Sequence, residues 1–139
     1  MTEKVFVDTA AWIALINRRD TYHLPARQVM DQLRQQRAAL ITTEFVLLEV
    51  ADALSDPSIR AKTINFVDSL LQLPQVPALQ IVAIDRTLWL EGRALYKQRA
   101  DKDWGLTDCT SFVVMMQQQM NQAFTTDRHF EQAGFINLL

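Results

Sequence analysis

Four acidic residues in this chain occupy positions where a carboxylate could bind a cation: Asp8, Glu49, Asp108 and Asp127. Asp8 follows a short apolar run, Asp127 follows another near the end of the chain, and the other two lie in apolar stretches that look helical. Carboxylates that converge on one crevice repel each other unless protons or cations intervene. Oxygen ligands of this kind suit Mg²⁺ or Mn²⁺, so the pattern predicts a divalent-metal cluster able to act on phosphate.

Short strands alternate with helices along the chain. We expect strands over residues 4–8, 39–42, 79–84, 123–126 and 135–138. We expect helices over residues 9–17, 21–36, 43–54, 58–73, 85–99 and 107–119, with one or two turns over 127–133. This order predicts an α/β fold, a parallel sheet of four to five short strands flanked by helices. Pro74 and Pro77 precede the third strand and favour a place for it at a sheet edge.

The predicted sheet explains how the acids could meet. Parallel strands deliver their last residues to one edge, so Asp8 and Asp127 should lie on the same side. A helix that feeds a parallel strand runs antiparallel to it, which brings its start, with Asp108 and a capping Thr107, to that edge as well. Glu49 lies nearly two turns into its helix, as a partly buried acid without a basic neighbour within one turn. Taken singly, each acid could instead be a helix cap or a solvated residue.

Composition limits the class of protein. With 139 residues, 49% of them hydrophobic, the chain can form one domain, 1–139, without disulfides or a structural metal. The single cysteine, Cys109, favours a reducing cytoplasmic location. The apolar run at residues 10–16 is far shorter than the roughly 20 residues of a membrane helix, so we expect a soluble protein. A net charge of -2 excludes a globally basic nucleic-acid binder but not a local nucleic-acid site.

Four segments, taken in order, resemble the PIN-domain ribonucleases, especially the single-domain toxins called VapC. The segments cover nearly the whole chain: Val5-Phe6-Val7-Asp8-Thr9, Thr42-Thr43 followed by Glu49, Leu106-Thr107-Asp108-Cys109, and Phe124-Thr125-Thr126-Asp127-Arg128-His129-Phe130. The resemblance implies a PIN-like parallel sheet whose acidic pocket holds Mg²⁺ or Mn²⁺ and cuts RNA. The metal-binding and catalytic positions of the family correspond to Asp8, Glu49, Asp108 and Asp127.

The resemblance also implies supporting residues and partners. Thr9 and Thr126 would orient carboxylates or waters, and Asp103 is a further candidate that ranks below the four acids. An RNA substrate is expected, together with a cognate antitoxin that covers the pocket and an apolar groove near the early helices. A homodimer is expected as well. Trp104 could stack on a base but is more typical of a lid on the core.

Single residues in this sequence argue against two other protein classes. A haloacid-dehalogenase-type phosphatase needs a second aspartate where this chain has Ala10, and a receiver-type domain needs a lysine where the late strand ends in Thr126-Asp127. The stronger alternative is a PIN-like protein-binding module without turnover. His129 is more typical of a packed or capping histidine than of a catalytic one.

Overall fold

The computed structural model describes residues 3–72 and 78–139, in which strands and helices alternate. The strands are β1 (Lys4–Val7), β2 (Ala39–Thr43), β3 (Leu79–Val82), β4 (Gln122–Phe124) and β5 (Ile136–Asn137). The helices are α1 (Thr9–Ile16), α2 (His23–Gln35), α3 (Glu44–Ala53), α4 (Pro57–Leu71), α5 (Arg86–Gln98), α6 (Leu106–Gln117) and α7 (Arg128–Gln132). Every predicted element is present, and its ends differ from the prediction by at most two residues. Residue 73, the predicted end of the fourth helix, lies outside the described residues. Pro74 and Pro77 lie outside the described residues.

All five strands pair in parallel, in the order β3-β2-β1-β4-β5. The central strand, β1, is fully buried at Val5, Phe6 and Val7, as a parallel strand covered on both faces requires. The predicted α/β fold with a parallel sheet is confirmed. The third strand, β3, lies at an edge of the sheet, as predicted.

Side-chain caps start three of the helices just after a strand. The Val46 backbone N–H donates to Thr43 Oγ1 over 3.0 Å at the start of α3. Asp85 and Asp127 cap α5 and α7 in the same way, with distances of 2.7 and 2.9 Å. Each cap satisfies one of the N–H groups that a helix start leaves unpaired. These caps fix the direction in which the chain leaves the carboxyl edge of the sheet.

An aromatic cluster packs under the segments that follow α5. The ring of Phe112 on α6 lies 4.9 Å from Phe130 on α7 and 4.9 Å from Trp104, both in edge-to-face geometry. Trp104 is 5% exposed and donates its indole N–H to Gln132 Oε1 over 3.0 Å. Trp104 is therefore the lid on the core that the sequence favoured over base stacking. Across the described ranges, no helix is long and apolar enough to cross a membrane.

Candidate metal centre

Asp8 leaves the end of β1 and is held at the carboxyl edge of the sheet. Its backbone N–H donates to the Phe124 carbonyl on β4 over 3.2 Å. Thr42 Oγ1 donates to the Val7 carbonyl over 2.8 Å, which fixes the residue just before it. The carboxylate is 4% exposed and accepts a hydrogen bond of 2.9 Å from Thr125 Oγ1. β1 and its neighbours therefore place a buried acid at the position that the sequence predicted.

Burial raises the pKa of Asp8 from 3.8 to about 7. The carboxylates of Asp108 and Asp127 contribute to this increase, whereas the Thr9 backbone and the Thr125 hydroxyl oppose it by hydrogen bonding. Asp8 and Asp127 lie on the same side of the molecule, because the Thr125 hydroxyl hydrogen-bonds to the Asp8 carboxylate and to the Asp127 backbone N–H. A cation beside Asp8 would favour its ionised form and lower this raised pKa.

Asp108 lies in the first turn of α6, where its Oδ2 accepts from the Gly105 backbone N–H over 3.1 Å. Burial raises its pKa and Asp127 contributes in the same direction, while Gly105 and His129 lower it. The prediction that Thr107 caps this helix is wrong. The helix begins at Leu106, so Thr107 already lies inside the first turn, where its carbonyl accepts from hydroxyl groups one turn later.

Asp127 and His129 complete a compact group with Asp108. One ligand atom from each of these residues lies within 4.8 Å of the others, close enough to share one cation. Asp127 Oδ1 accepts from the His129 backbone N–H, and the Asp127 backbone N–H donates to Thr125 Oγ1 over 3.0 Å. Thr125 thus contacts both Asp8 and Asp127. It links the acids that follow β1 and β4.

The pKa of the His129 imidazole is raised overall. Burial alone would lower it, but the carboxylates of Asp127, Asp108 and Asp103 outweigh that effect. Asp103 reaches the cluster through this ring, with its Oδ1 3.2 Å from His129 Nε2, although its side chain is 78% exposed. The structure therefore brings the lower-ranked Asp103 to the rim of the group.

Glu49 is not brought into this group. Val46, Leu47 and Val50 take the buried face of α3, so Glu49 is exposed rather than partly buried as the sequence suggested. Within residues 3–72 and 78–139, its carboxylate makes no hydrogen bond or ion pair. Its assignment as a metal ligand stays a prediction.

The donor set fits a hard divalent cation. Three carboxylates face one edge of the sheet, and oxygen ligands are those that Mg²⁺ and Mn²⁺ prefer. Thr9 Oγ1, beside Asp8, is buried without a hydrogen-bond partner in the part of the chain described here. A buried hydroxyl of this kind is costly unless a ligand or water satisfies it. The cluster therefore has both the charge and the unpaired oxygen that a hydrated cation would satisfy.

Sequence reasoning missed Thr125 and His129. The predicted strand ran to residue 126, but β4 ends at Phe124, so Thr125 turns toward Asp8. Thr126, the predicted supporting residue, is half-buried and has no side-chain hydrogen bond among the described residues. The short spacing from Asp127 to His129 at a helix start was the available signal for the histidine.

Cys109, by contrast, has the packing role that the sequence favoured. Its side chain is buried, and burial together with Asp108 raises the pKa of its thiol to about 11.

Comparisons with known proteins agree with the fold. The sequence profile of the PIN domain family matches residues 5–136. Curated protein sequences gave no match to this chain. One similar solved structure is the Mycobacterium tuberculosis VapC20 toxin, described as cleaving the sarcin–ricin loop. It superposes on this chain with a TM-score of 0.81 at 22% sequence identity, and the match covers 95% of this chain and 96% of the toxin chain.

Two similar structures are complexes bound to DNA. VapBC2 from *Rickettsia felis*, bound to a promoter fragment, has a TM-score of 0.66 at 14% identity and covers 96% of each chain. DNA-bound VapBC from *Salmonella typhimurium* has a TM-score of 0.64 at 12% identity, and the match covers 99% of this chain and 97% of that one. These likenesses show a shared fold over nearly the whole chain.

Proposed function

Because this chain belongs to the PIN domain family, we propose that it is a metal-dependent endoribonuclease of the toxin type, which hydrolyses RNA phosphodiester bonds. The observation that carries the proposal is the buried Asp8 carboxylate, which shares the carboxyl edge of the sheet with Asp108 and Asp127. Isolated buried acids are rarely retained without a partner. Here the other nearby acids increase the need for a cation.

The contacts within the carboxylate cluster suggest what each residue would do in this reaction. Asp8, Asp108 and Asp127 would hold Mg²⁺ or Mn²⁺, with Glu49 as the fourth acid expected from the family. When bound, such an ion lowers the pKa of a water and offsets negative charge on the phosphate. Thr125 orients the Asp8 carboxylate through its hydroxyl. The Asp108 carboxylate is fixed by the Gly105 backbone.

Thr9, Thr126 and Asp103 would act beside the ligands. The unpaired Thr9 hydroxyl suits a hydrogen bond to a metal-bound water. Thr126 directly precedes Asp127 and could contact a water or the RNA. Asp103 reaches the same group through His129.

Cleavage of RNA by the purified protein tests the proposal. Wild type should cut structured RNA in Mg²⁺ or Mn²⁺ and stop on addition of a chelator. Asp8→Asn and Asp108→Asn should abolish cutting while circular dichroism shows an intact fold. Asp68→Asn, the same change at an exposed site on α4, should cut like wild type. Equal activity in all four proteins would indicate a contaminating nuclease.

The choice of RNA should be broad at first. A sarcin–ricin loop oligonucleotide is a reasonable probe because the *M. tuberculosis* neighbour is described as cutting that loop. Transfer RNA and messenger RNA should be tested beside it, since fold similarity does not fix the substrate. Absence of cutting in every RNA, with tight binding to a protein partner, would favour the alternative of a PIN-like binding module.

A groove between the early helices suits the expected antitoxin. Its volume is about 430 Å³, and it shares no residue with the carboxylate cluster. Its apolar floor includes Trp12 and Phe66, and its rim carries Arg18, Arg27 and Arg34. This surface suits an amphipathic segment with acidic side chains. Arg27→Glu should weaken antitoxin binding without changing Mn²⁺ binding, and unchanged antitoxin affinity would contradict this assignment.

The expected homodimer and cytoplasmic location stay predictions.

A further inference from the structure

His129 contacts three acidic side chains at once. Its Nδ1 lies 3.1 Å from Asp108 Oδ2 and 3.3 Å from Asp127 Oδ1. Its Nε2 lies 3.2 Å from Asp103 Oδ1. The ring is only 19% exposed, whereas the Asp103 side chain is 78% exposed, so the ring reaches from inside the cluster to its rim. One side chain therefore joins acids from the loop before α6, from α6 and from the start of α7.

Both ring nitrogens of His129 face carboxylate oxygens. A carboxylate accepts hydrogen bonds but has none to donate when ionised. Whichever nitrogen carries the proton, its N–H therefore points at a carboxylate oxygen. A histidine that binds a metal instead presents a nitrogen lone pair to the ion. The observed orientation therefore favours a role in holding the acids over a role as a metal ligand.

The segments that carry these acids need such a link. α7 has five residues, too few for a helix to be stable without tertiary contacts. The loop of residues 99–105 contains neither helix nor strand. Among the described residues, His129 is the one side chain that forms an ion pair or hydrogen bond with the Asp103 carboxylate. Trp104 and Gln132 make a second link between the same two segments, which keeps the ring within reach of Asp103.

We propose that His129 is a positioning residue that holds Asp103, Asp108 and Asp127 in the arrangement that binds the divalent ion. This inference rests on the proposed metal centre and adds a residue to it. A ring N–H between these acids also reduces the repulsion among the carboxylates before the ion arrives. The ion then finds acids that are already gathered.

Mn²⁺ titration by calorimetry tests the role. Removal of a group that orients metal ligands commonly weakens metal binding by about 10- to 100-fold, so His129→Ala should weaken Mn²⁺ binding by at least about 10-fold. His129→Asn should recover part of that loss, because its amide N–H occupies nearly the position of Nδ1. The matched control is His23→Asn, since His23 Nδ1 hydrogen-bonds with the Ala14 carbonyl over 2.7 Å and the ring lies outside the carboxylate cluster. This control should bind Mn²⁺ like wild type.

The outcomes separate the inference from the proposal on which it rests. Wild-type affinity in His129→Ala overturns the positioning role, whereas failure of wild type to bind Mn²⁺ overturns the metal centre as well. If circular dichroism shows that the alanine variant is unfolded, His129→Leu replaces it, with similar volume and no donor. Electron spin-echo spectroscopy of bound Mn²⁺ should show no directly coordinated imidazole nitrogen. Such a signal, lost in His129→Asn, would make the residue a ligand and overturn the inference.

Discussion

Replacement of Asp8 by asparagine should stabilise the metal-free protein at pH 8. Burial raises the pKa of this acid from 3.8 in the unfolded chain to about 7 in the folded protein. Since the folded pKa is the higher one, stability is greatest at low pH and falls as pH rises from about 4 to about 7. Each pKa unit is worth about 1.4 kcal/mol, so the full penalty above pH 7 is about 4 kcal/mol.

Asparagine removes that penalty but adds an amide N–H. An unpaired buried donor costs about 1–3 kcal/mol, so we expect Asp8→Asn to raise the free energy of unfolding at pH 8 by about 2 kcal/mol. Thr125 can still donate to the asparagine oxygen, which preserves the existing contact. At pH 4 the advantage should disappear, because the folded Asp8 is then protonated and the unfolded one, close to its pKa of 3.8, is only partly ionised, so little of the penalty is left.

Urea denaturation in the presence of a chelator, at several pH values from 4 to 8, measures this difference. Asp68→Asn removes the same charge from an exposed site and should gain little at any pH. The reasoning is refuted if Asp8→Asn is no more stable than wild type at pH 8, or if their difference does not change with pH. Adding Mn²⁺ at 100 times its dissociation constant should stabilise wild type by about 2.7 kcal/mol and leave the variant nearly unchanged.

Three further substitutions test individual contacts. Glu49→Gln should weaken Mn²⁺ binding in calorimetry if the exposed acid turns toward the ion, and unchanged affinity would remove it from the ligand set. Thr125→Val should lower the free energy of unfolding by about 1–3 kcal/mol, because it removes the hydroxyl that donates to Asp8. Thr126→Val is the control, and an equal loss of stability in that variant would contradict the role of Thr125. Gly92→Ala should lower the free energy of unfolding, measured in urea, by about 1–3 kcal/mol, because the new Cβ would lie 2.5 Å from the Thr110 methyl on α6. A variant as stable as wild type would contradict this close packing of α5 on α6.

The fold and three acids could be read from the sequence because each depends on local pattern. Asp8 and Asp127 follow strands, and the direction of α6 brings Asp108 to the same edge. Glu49 was harder to place from the sequence. Val46, Leu47 and Val50 take the buried face of α3, and Glu49 lies on the exposed face of that helix. Nor does a sequence show which way the His129 ring turns, because that depends on contacts with segments distant along the chain.

The position of Thr125 could not be read for a related reason. Side chains alternate between the two faces of a sheet only while the strand continues, so the position of a strand end decides how the next side chains point. Because β4 ends two residues earlier than expected, Thr125 and not Thr126 contacts Asp8. Strand boundaries of that accuracy depend on pairing with β1 and β5.

The central claim is that carboxylates at the carboxyl edge of the sheet hold a divalent ion. Anomalous diffraction from crystals grown with Mn²⁺ tests it most directly. We expect an anomalous peak in contact with Asp8, Asp108 and Asp127, and none at this position in Asp108→Asn crystals. A fully ordered cluster with no peak in wild-type crystals, in Mn²⁺ concentrations that support RNA cleavage, would contradict the account.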